Sequence, residues 1–192
     1  GRPAWSLIGP PLSALRDVRR VAGAVCLALL AIEVLPPTVD LDVIEEIRPV
    51  PLWLLTLPVA GVAVLIQSGA EEVIFRGYIQ QQLGALSDRP LAWMVVPSAL
   101  FGILHFWNAD GAADGALWAI WAFLIGLACA DLTARTGTLG AAIGLHWVNN
   151  LFVFGLYGMN GGPDSGFALF LYSYSEPVDG PGLEALASPW AA

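Results

Sequence analysis

The sequence predicts an all-α fold, a polytopic transmembrane helix bundle of about five to six membrane helices, and three observations carry that expectation. Hydrophobic side chains make up 57% of the 192 residues and charged ones only 12%, against about 25% charged in an ordinary soluble domain. Mean hydropathy is +0.69. Several apolar runs approach the length of about 20 residues that a helix needs to cross about 30 Å of hydrocarbon, and Gly, Pro, Asp and Asn gather between them.

Each element follows from its own stretch of chain. The first apolar run extends from about Val21 to Leu35, can be continued backwards through Arg16, Asp17, Arg19 and Arg20, and ends at Pro36-Pro37. The second begins near Pro51, is apolar to Ile66, and continues without a breaker through Glu71 and Arg76 to about Leu83. The third covers Leu91 to Trp107, where Pro97 is expected to kink the helix by freeing a backbone carbonyl. The fourth covers Ala116 to Leu132 and the fifth Leu139 to Tyr157. Phe167 to Tyr174 is too short to span and is expected as a partial or interfacial helix. Residues 1–20 thus read as a cytoplasmic N-terminal arm, 21–174 as the transmembrane bundle and 175–192 as a flexible tail. The chain opens on Gly1 rather than Met, so a preceding segment is expected. Trp53, Trp93, Trp107 and Trp118 lie near helix ends, as interfacial indoles do. Gly102, Gly126, Gly140 and Gly144 are expected to permit close helix approach. Cys26, Cys129 and most of the tryptophans read as packing or belt residues.

Charge narrows the function. Eight basic residues, all Arg, face sixteen acidic ones, for a formal net charge of −8. Nucleic acid is not an expected partner, since binding it takes a basic face. Cys26 and Cys129 have no second Cys or His nearby at ligand spacing, which argues against a disulfide framework or a zinc finger. Arg16, Arg19, Arg20, Arg89 and Arg135 fall on one side of the predicted spans. Asp40, Asp42, Glu45, Glu46, Asp110, Asp114 and Asp164 fall on the other, with Arg48 among them. The arginine bias predicts a cytoplasmic start.

Ionisable side chains inside membrane helices cost about 2.5 to 3.5 kcal/mol for Asp, Lys or Arg at the centre, so their presence needs a reason. Here they cluster. The second helix carries Glu71, Glu72 and Arg76, the third His105, and the fifth His146, Asn149 and Asn150; both histidines of the protein lie in apolar helices. Glu72 and Arg76 stand at i and i+4 and can pair on one face, while Glu71 points about 100° away. His146 and Asn150 are likewise one turn apart, and Phe101 lies one turn before His105. Glu33 and Asp131 lie near helix ends and read as interfacial.

These residues form three motifs. Glu71-Glu72-Val73-Ile74-Phe75-Arg76 matches E-E-x-x-x-R, Phe101-Gly102-Ile103-Leu104-His105 matches F-x-x-x-H, and His146-Trp147-Val148-Asn149-Asn150 matches H-x-x-x-N. In this order, on successive membrane helices, the stretch from about 50 to 158 resembles the CAAX protease and bacteriocin-processing family of intramembrane endopeptidases, which includes the type II CAAX prenyl proteases. The resemblance implies a glutamic-type peptide hydrolase that uses a water held between Glu71 and His105. It implies further that His146 and Asn150 stabilise the oxyanion, with Glu72, Arg76 and Phe101 in support. No cofactor is implied. The partners implied are membrane lipid and a peptide or protein substrate, lipidated or membrane-anchored ones included. The location implied is the bacterial cytoplasmic membrane, crossed several times.

Other readings stand beside it. Glu71, Glu72 and Arg76 alone could be a solvated helix end, His105 alone an interfacial histidine, and His146 with Asn150 interhelical hydrogen-bonding glue. Glu71, His105 and His146 could instead bind a catalytic zinc as two histidines and a carboxylate, although no H-E-x-x-H motif accompanies them. A non-enzymatic immunity or scaffold protein of the same fold is the third alternative, and the intact polar set counts against it.

Overall fold

The computed structural model describes residues 3–34, 44–109, 111–161 and 165–172. Within these, helices dominate. A short 3-10 turn at Ala4–Leu7 leads into α1, Pro11–Val34. Next come β1, Ile44–Ile47, and a long helix α2, Val50–Leu86. Helix α3 covers Leu91–Asn108, α4 covers Ala112–Thr136 and α5 covers Gly140–Leu156. Two short strands follow, β2 at Tyr157–Met159 and β3 at Phe170–Tyr172.

Helices α2, α3 and α4 are each long and apolar enough to cross a membrane, and α5 is a shorter apolar helix. Their outward faces carry Leu54, Leu55, Val59, Val62 and Ile66 on α2, and Leu117, Ile120 and Leu124 on α4, all exposed. Apolar surface that continuous suits hydrocarbon rather than water. The interior is lined by small residues instead: Ala60, Ala122, Cys129, Ala130, Ala141 and Ala142 are buried. Without a hydrophobic drive between helices in lipid, close backbone approach supplies the packing. At Gly140 a Cβ would collide with the Ala14 backbone carbonyl, and at Gly144 it would come within 2.8 Å of the Val18 carbonyl oxygen, so α1 lies directly on α5. Cys26, by contrast, is exposed on α1.

Two expectations need correction. Helix α1 begins at Pro11, so residues 11–20 belong to the bundle rather than to an arm. Buried Asp17 explains this, because its Oδ2 accepts a hydrogen bond from the Thr138 hydroxyl at 2.9 Å and ties the first turns of α1 to the α4–α5 turn. Residues 170–172 form a strand, not part of an interfacial helix. That strand is the centre of a three-stranded sheet of order β1-β3-β2, antiparallel to β1 and parallel to β2. Pro97 stands at an irregular point of α3, as its missing N–H leads one to expect. The helix changes there from a π-helical turn, Leu91–Val95, to the α-helix Val96–Leu104, and the Ser98 hydroxyl donates to the Met94 carbonyl at 2.7 Å. The segments at 36–37, Asp40, Asp42, Asp110, Asp164 and the tail from 175 lie outside the described residues.

The sheet caps the end of the bundle where α1 and α5 finish and α2 begins. Arg48 donates to the carbonyls of Gly166 and Ser165, the Trp53 indole donates to the Gly155 carbonyl at 2.7 Å, and the Tyr157 hydroxyl donates to Glu33 at 2.6 Å. Burial and the Glu33 carboxylate together push the Tyr157 phenol up, so it stays a donor. The polar cluster lies about midway along α5, at His146, Asn149 and Asn150.

Candidate active site

The centre of the site is built on α2, where the regular helix Val50–Glu72 passes into a π-helical stretch, Val73–Gln80. Widened turns of this kind occur often at functional positions. Glu72 and Arg76 are both fully buried and form an ion pair at 2.9 Å. Two of the three guanidinium nitrogens of Arg76, Nε and NH2, have no hydrogen-bond partner among the described residues. The cation lies over the Phe101 ring instead, 4.7 Å from its centroid, an arrangement that stabilises a desolvated charge. Gly126 makes room for it, since a Cβ there would sit 3.0 Å from Arg76 NH2. Phe75 packs edge-on against Phe101, and with Ala122 and Ile79 they form the apolar wall beneath the cation.

Helix α5 brings the third partner. The Nδ1 of buried His146 bonds to the same Glu72 oxygen that receives Arg76, at 2.8 Å. Because a carboxylate bonded to Arg accepts, Nδ1 carries the proton and donates. The other ring nitrogen, Nε2, then faces Glu71, whose Oε2 is 3.7 Å away and, like Glu72 Oε2, has no hydrogen-bond partner among the described residues. Arg76, Glu72, His146 and Glu71 thus form one continuous chain across two helices.

His105 joins from α3 at the point where the α-helix tightens into a 3-10 turn, His105–Asn108. Its Nδ1 lies 2.7 Å from the Phe101 carbonyl oxygen. Since a carbonyl can only accept, Nδ1 donates and Nε2 is left as an acceptor. The Phe101 ring lies between the two histidines, with centroids 4.4 Å from His105 and 5.5 Å from His146. No hydrogen bond or ion pair joins His105 to Glu71. A cleft of about 40 Å³ opens beside them, lined by both histidines, Phe101, Asn149, Asn150 and the tryptophans Trp118 and Trp121. Glu71 is not part of that lining and reaches it through His146. Among the described residues, no three His, Cys, Asp or Glu side chains are grouped so as to hold a metal ion.

The structure therefore gathers Glu71, Glu72, Arg76, Phe101, His105, His146 and Asn150 around one region, but not in equal contact. Three participants carry no motif position. Gln67 bonds to Glu71 and to Asn150, Asn149 bonds to Asn150, and Trp118 walls the cleft. Gln67 had a readable signal, as it stands one helical turn before Glu71 at the end of an apolar run.

A polytopic helical membrane bundle with a buried Glu72–Arg76–His146 group, and Glu71 and His105 half-buried beside it, is the class of protein these features define. The comparisons narrow it. The family model described as type II CAAX prenyl endopeptidase Rce1-like matches residues 50–152, and the chain belongs to that family. The uncharacterized protein YyaK of Bacillus subtilis (strain 168) is 38% identical over 103 residues, covering 53% of this chain and 33% of the relative. The matched stretch is thus about a third of that protein's length. No solved structure matches the chain.

Proposed function

We propose that the chain is an intramembrane endopeptidase that hydrolyses a peptide bond with a water activated by Glu71 and His105, the oxyanion being met by His146 and Asn150. The observation that carries this reading is the chain Arg76–Glu72–His146–Glu71, buried up to His146 and ending on a half-buried Glu71. Burying such groups in an apolar bundle costs several kcal/mol per ion unless each is paired. Among the described residues, Glu71 Oε2 and Glu72 Oε2 are both buried without a hydrogen-bond partner, and of the two carboxylates only Glu72 is paired with a cation, which leaves Glu71, 3.7 Å from His146 Nε2, as the proton acceptor.

The chemistry follows from these positions. Glu71 Oε2 takes a proton from water as the water oxygen attacks the peptide carbonyl carbon, and the carbonyl electrons move to its oxygen. His105 Nε2 is the second acceptor that holds the water. One Asn150 N–H meets the oxyanion. His146 can add a second donor from Nε2 only as imidazolium, because its Nδ1 proton is committed to Glu72. Collapse breaks the C–N bond, and the leaving amine takes the proton back from Glu71. Donors aimed at such an oxyanion are worth about 2.7 to 4 kcal/mol each. The substrate proposed is a membrane-anchored or lipidated polypeptide in the bacterial cytoplasmic membrane, and no cofactor is called for.

The test uses the full chain in liposomes with a quenched fluorescent peptide carrying a prenylated C-terminal CaaX sequence, together with trapping by Glu71→Ala in native membranes. Cleavage of the peptide, and peptides retained by the variant and identified by mass spectrometry, are expected. Neither cleavage nor a trapped peptide would contradict the reading. Loss of activity to a strong chelator, restored specifically by zinc, would instead make Glu71, His105 and His146 metal ligands.

A further inference from the structure

We infer that Gln67, seconded by Asn149, is a positioning residue that aims both Glu71 and Asn150. The inference rests on the peptidase reading for its catalytic consequence, while the hydrogen-bond chain behind it can be measured without turnover. Gln67 is exposed on α2, next to Ile66, which is also exposed, at the end of an apolar stretch from 57 to 66. An amide there is costly unless it is tied. It is tied at both atoms. Its Nε2 donates to Glu71 Oε1, and its Oε1 accepts from Asn150 Nδ2 at 3.3 Å and from the Ser68 hydroxyl at 3.2 Å. Asn150 Oδ1 in turn accepts from Asn149 Nδ2 at 3.1 Å.

The direction of this chain is set by its end. A carboxylate only accepts, so the Gln67 nitrogen must face Glu71 and its oxygen must face Asn150. Asn150 therefore turns its nitrogen towards Gln67 and its oxygen towards Asn149. All three amides point the same way, and hydrogen bonds in series polarise one another. Two consequences follow for the site. Glu71 Oε1 is occupied, which leaves Oε2, on the His146 side, as the oxygen able to take a proton. Asn150 is held at both ends with one of its two N–H groups committed, and the second is free for a substrate oxygen. Gln67 thereby couples the proton acceptor on α2 to the oxyanion donor on α5.

The experiment compares Gln67→Leu, Gln67→Glu and Asn149→Ala with wild type on the prenylated CaaX peptide in liposomes, with Glu71→Gln as the inactive control. Gln67→Leu is expected to lower kcat about 10²-fold with KM changed less than about twofold, the signature of misplacement rather than lost binding. Gln67→Glu keeps the shape and the acceptor for Asn150 but sets a second carboxyl group against Glu71, which repels it or shares a proton with it and so spoils the base, and it should remain as slow as Gln67→Leu. Asn149→Ala should fall between these and wild type. A melting-temperature cycle in detergent, with Gln67→Leu and Asn150→Ala singly and together, should show a combined loss smaller than the sum. Wild-type kcat in Gln67→Leu, recovery in Gln67→Glu, or additive melting losses would each overturn the inference. If the wild type cleaves nothing, the peptidase reading fails and the melting cycle alone decides: coupled losses sustain the positioning chain and additive losses remove it.

Discussion

Two helices carry the same ion pair at the same spacing, and their surroundings give it opposite meanings. On α2 Glu72 precedes Arg76 by four residues, and on α4 Asp131 precedes Arg135 by four, with N···O distances of 2.9 and 2.6 Å. Both follow the favourable acid-before-base order of a helix. Yet the first pair is wholly buried, whereas Arg135 is 74% and Asp131 40% exposed. In water at a helix end the pair competes with solvent and recruits nothing further. Inside the bundle the same two groups must find every partner within the protein. Glu72 recruits His146, Arg76 lies on Phe101, and Gly126 gives up its side chain to make space. The spacing reports that a pair can form, and the company it keeps reports what the pair is for.

Substitutions that separate the two pairs should differ accordingly. Arg76→Ala leaves Glu72 buried without its cation partner, which should cost about 3 to 5 kcal/mol of stability and with it the activity. A melting curve in detergent identical to wild type would place the pair in water. Gly126→Val should cost about 1 to 3 kcal/mol by overpacking, because the new side chain meets Arg76 and the Ser98 backbone. An undisturbed melting temperature would show that α3 and α4 can part freely at this point. Arg135→Ala should leave the melting temperature unchanged, and a clear loss would erase the contrast. With Cys26 and Cys129 replaced, a cysteine at position 135 should react with an impermeant thiol reagent from the cytoplasmic side and one at position 76 should not. Labelling of position 135 from outside would invert the bundle.

Much of the bundle could be read from the chain because its helices are bounded locally. Ser87, Asp88 and Pro90 separate α2 from α3, and Gly137, with φ of +68°, closes α4. The elements that escaped depend on distant partners. Phe170–Tyr172 is a strand because β1 and β2 flank it, and its three residues carry no periodicity by which to read it. The first run could be continued backwards through Arg16, Asp17, Arg19 and Arg20, but its packing could not be read: the three arginines are exposed, and Asp17 is the charged residue that turns in, towards Thr138. The site divides in the same way. The Glu72–Arg76 pair was visible from its spacing. The bond from Glu72 to His146 spans 74 positions of sequence, and only packing of α2 against α5 creates it.

The role of Glu71 as proton acceptor is tested most directly by Glu71→Gln, which keeps the size of the side chain and removes its basicity. Turnover of the prenylated CaaX peptide should be measured in liposomes for wild type and variant, at matched protein amounts and with matched melting temperatures. The predicted result is a folded, membrane-inserted variant with no cleavage above background. Wild-type turnover by that same folded variant would contradict the assignment.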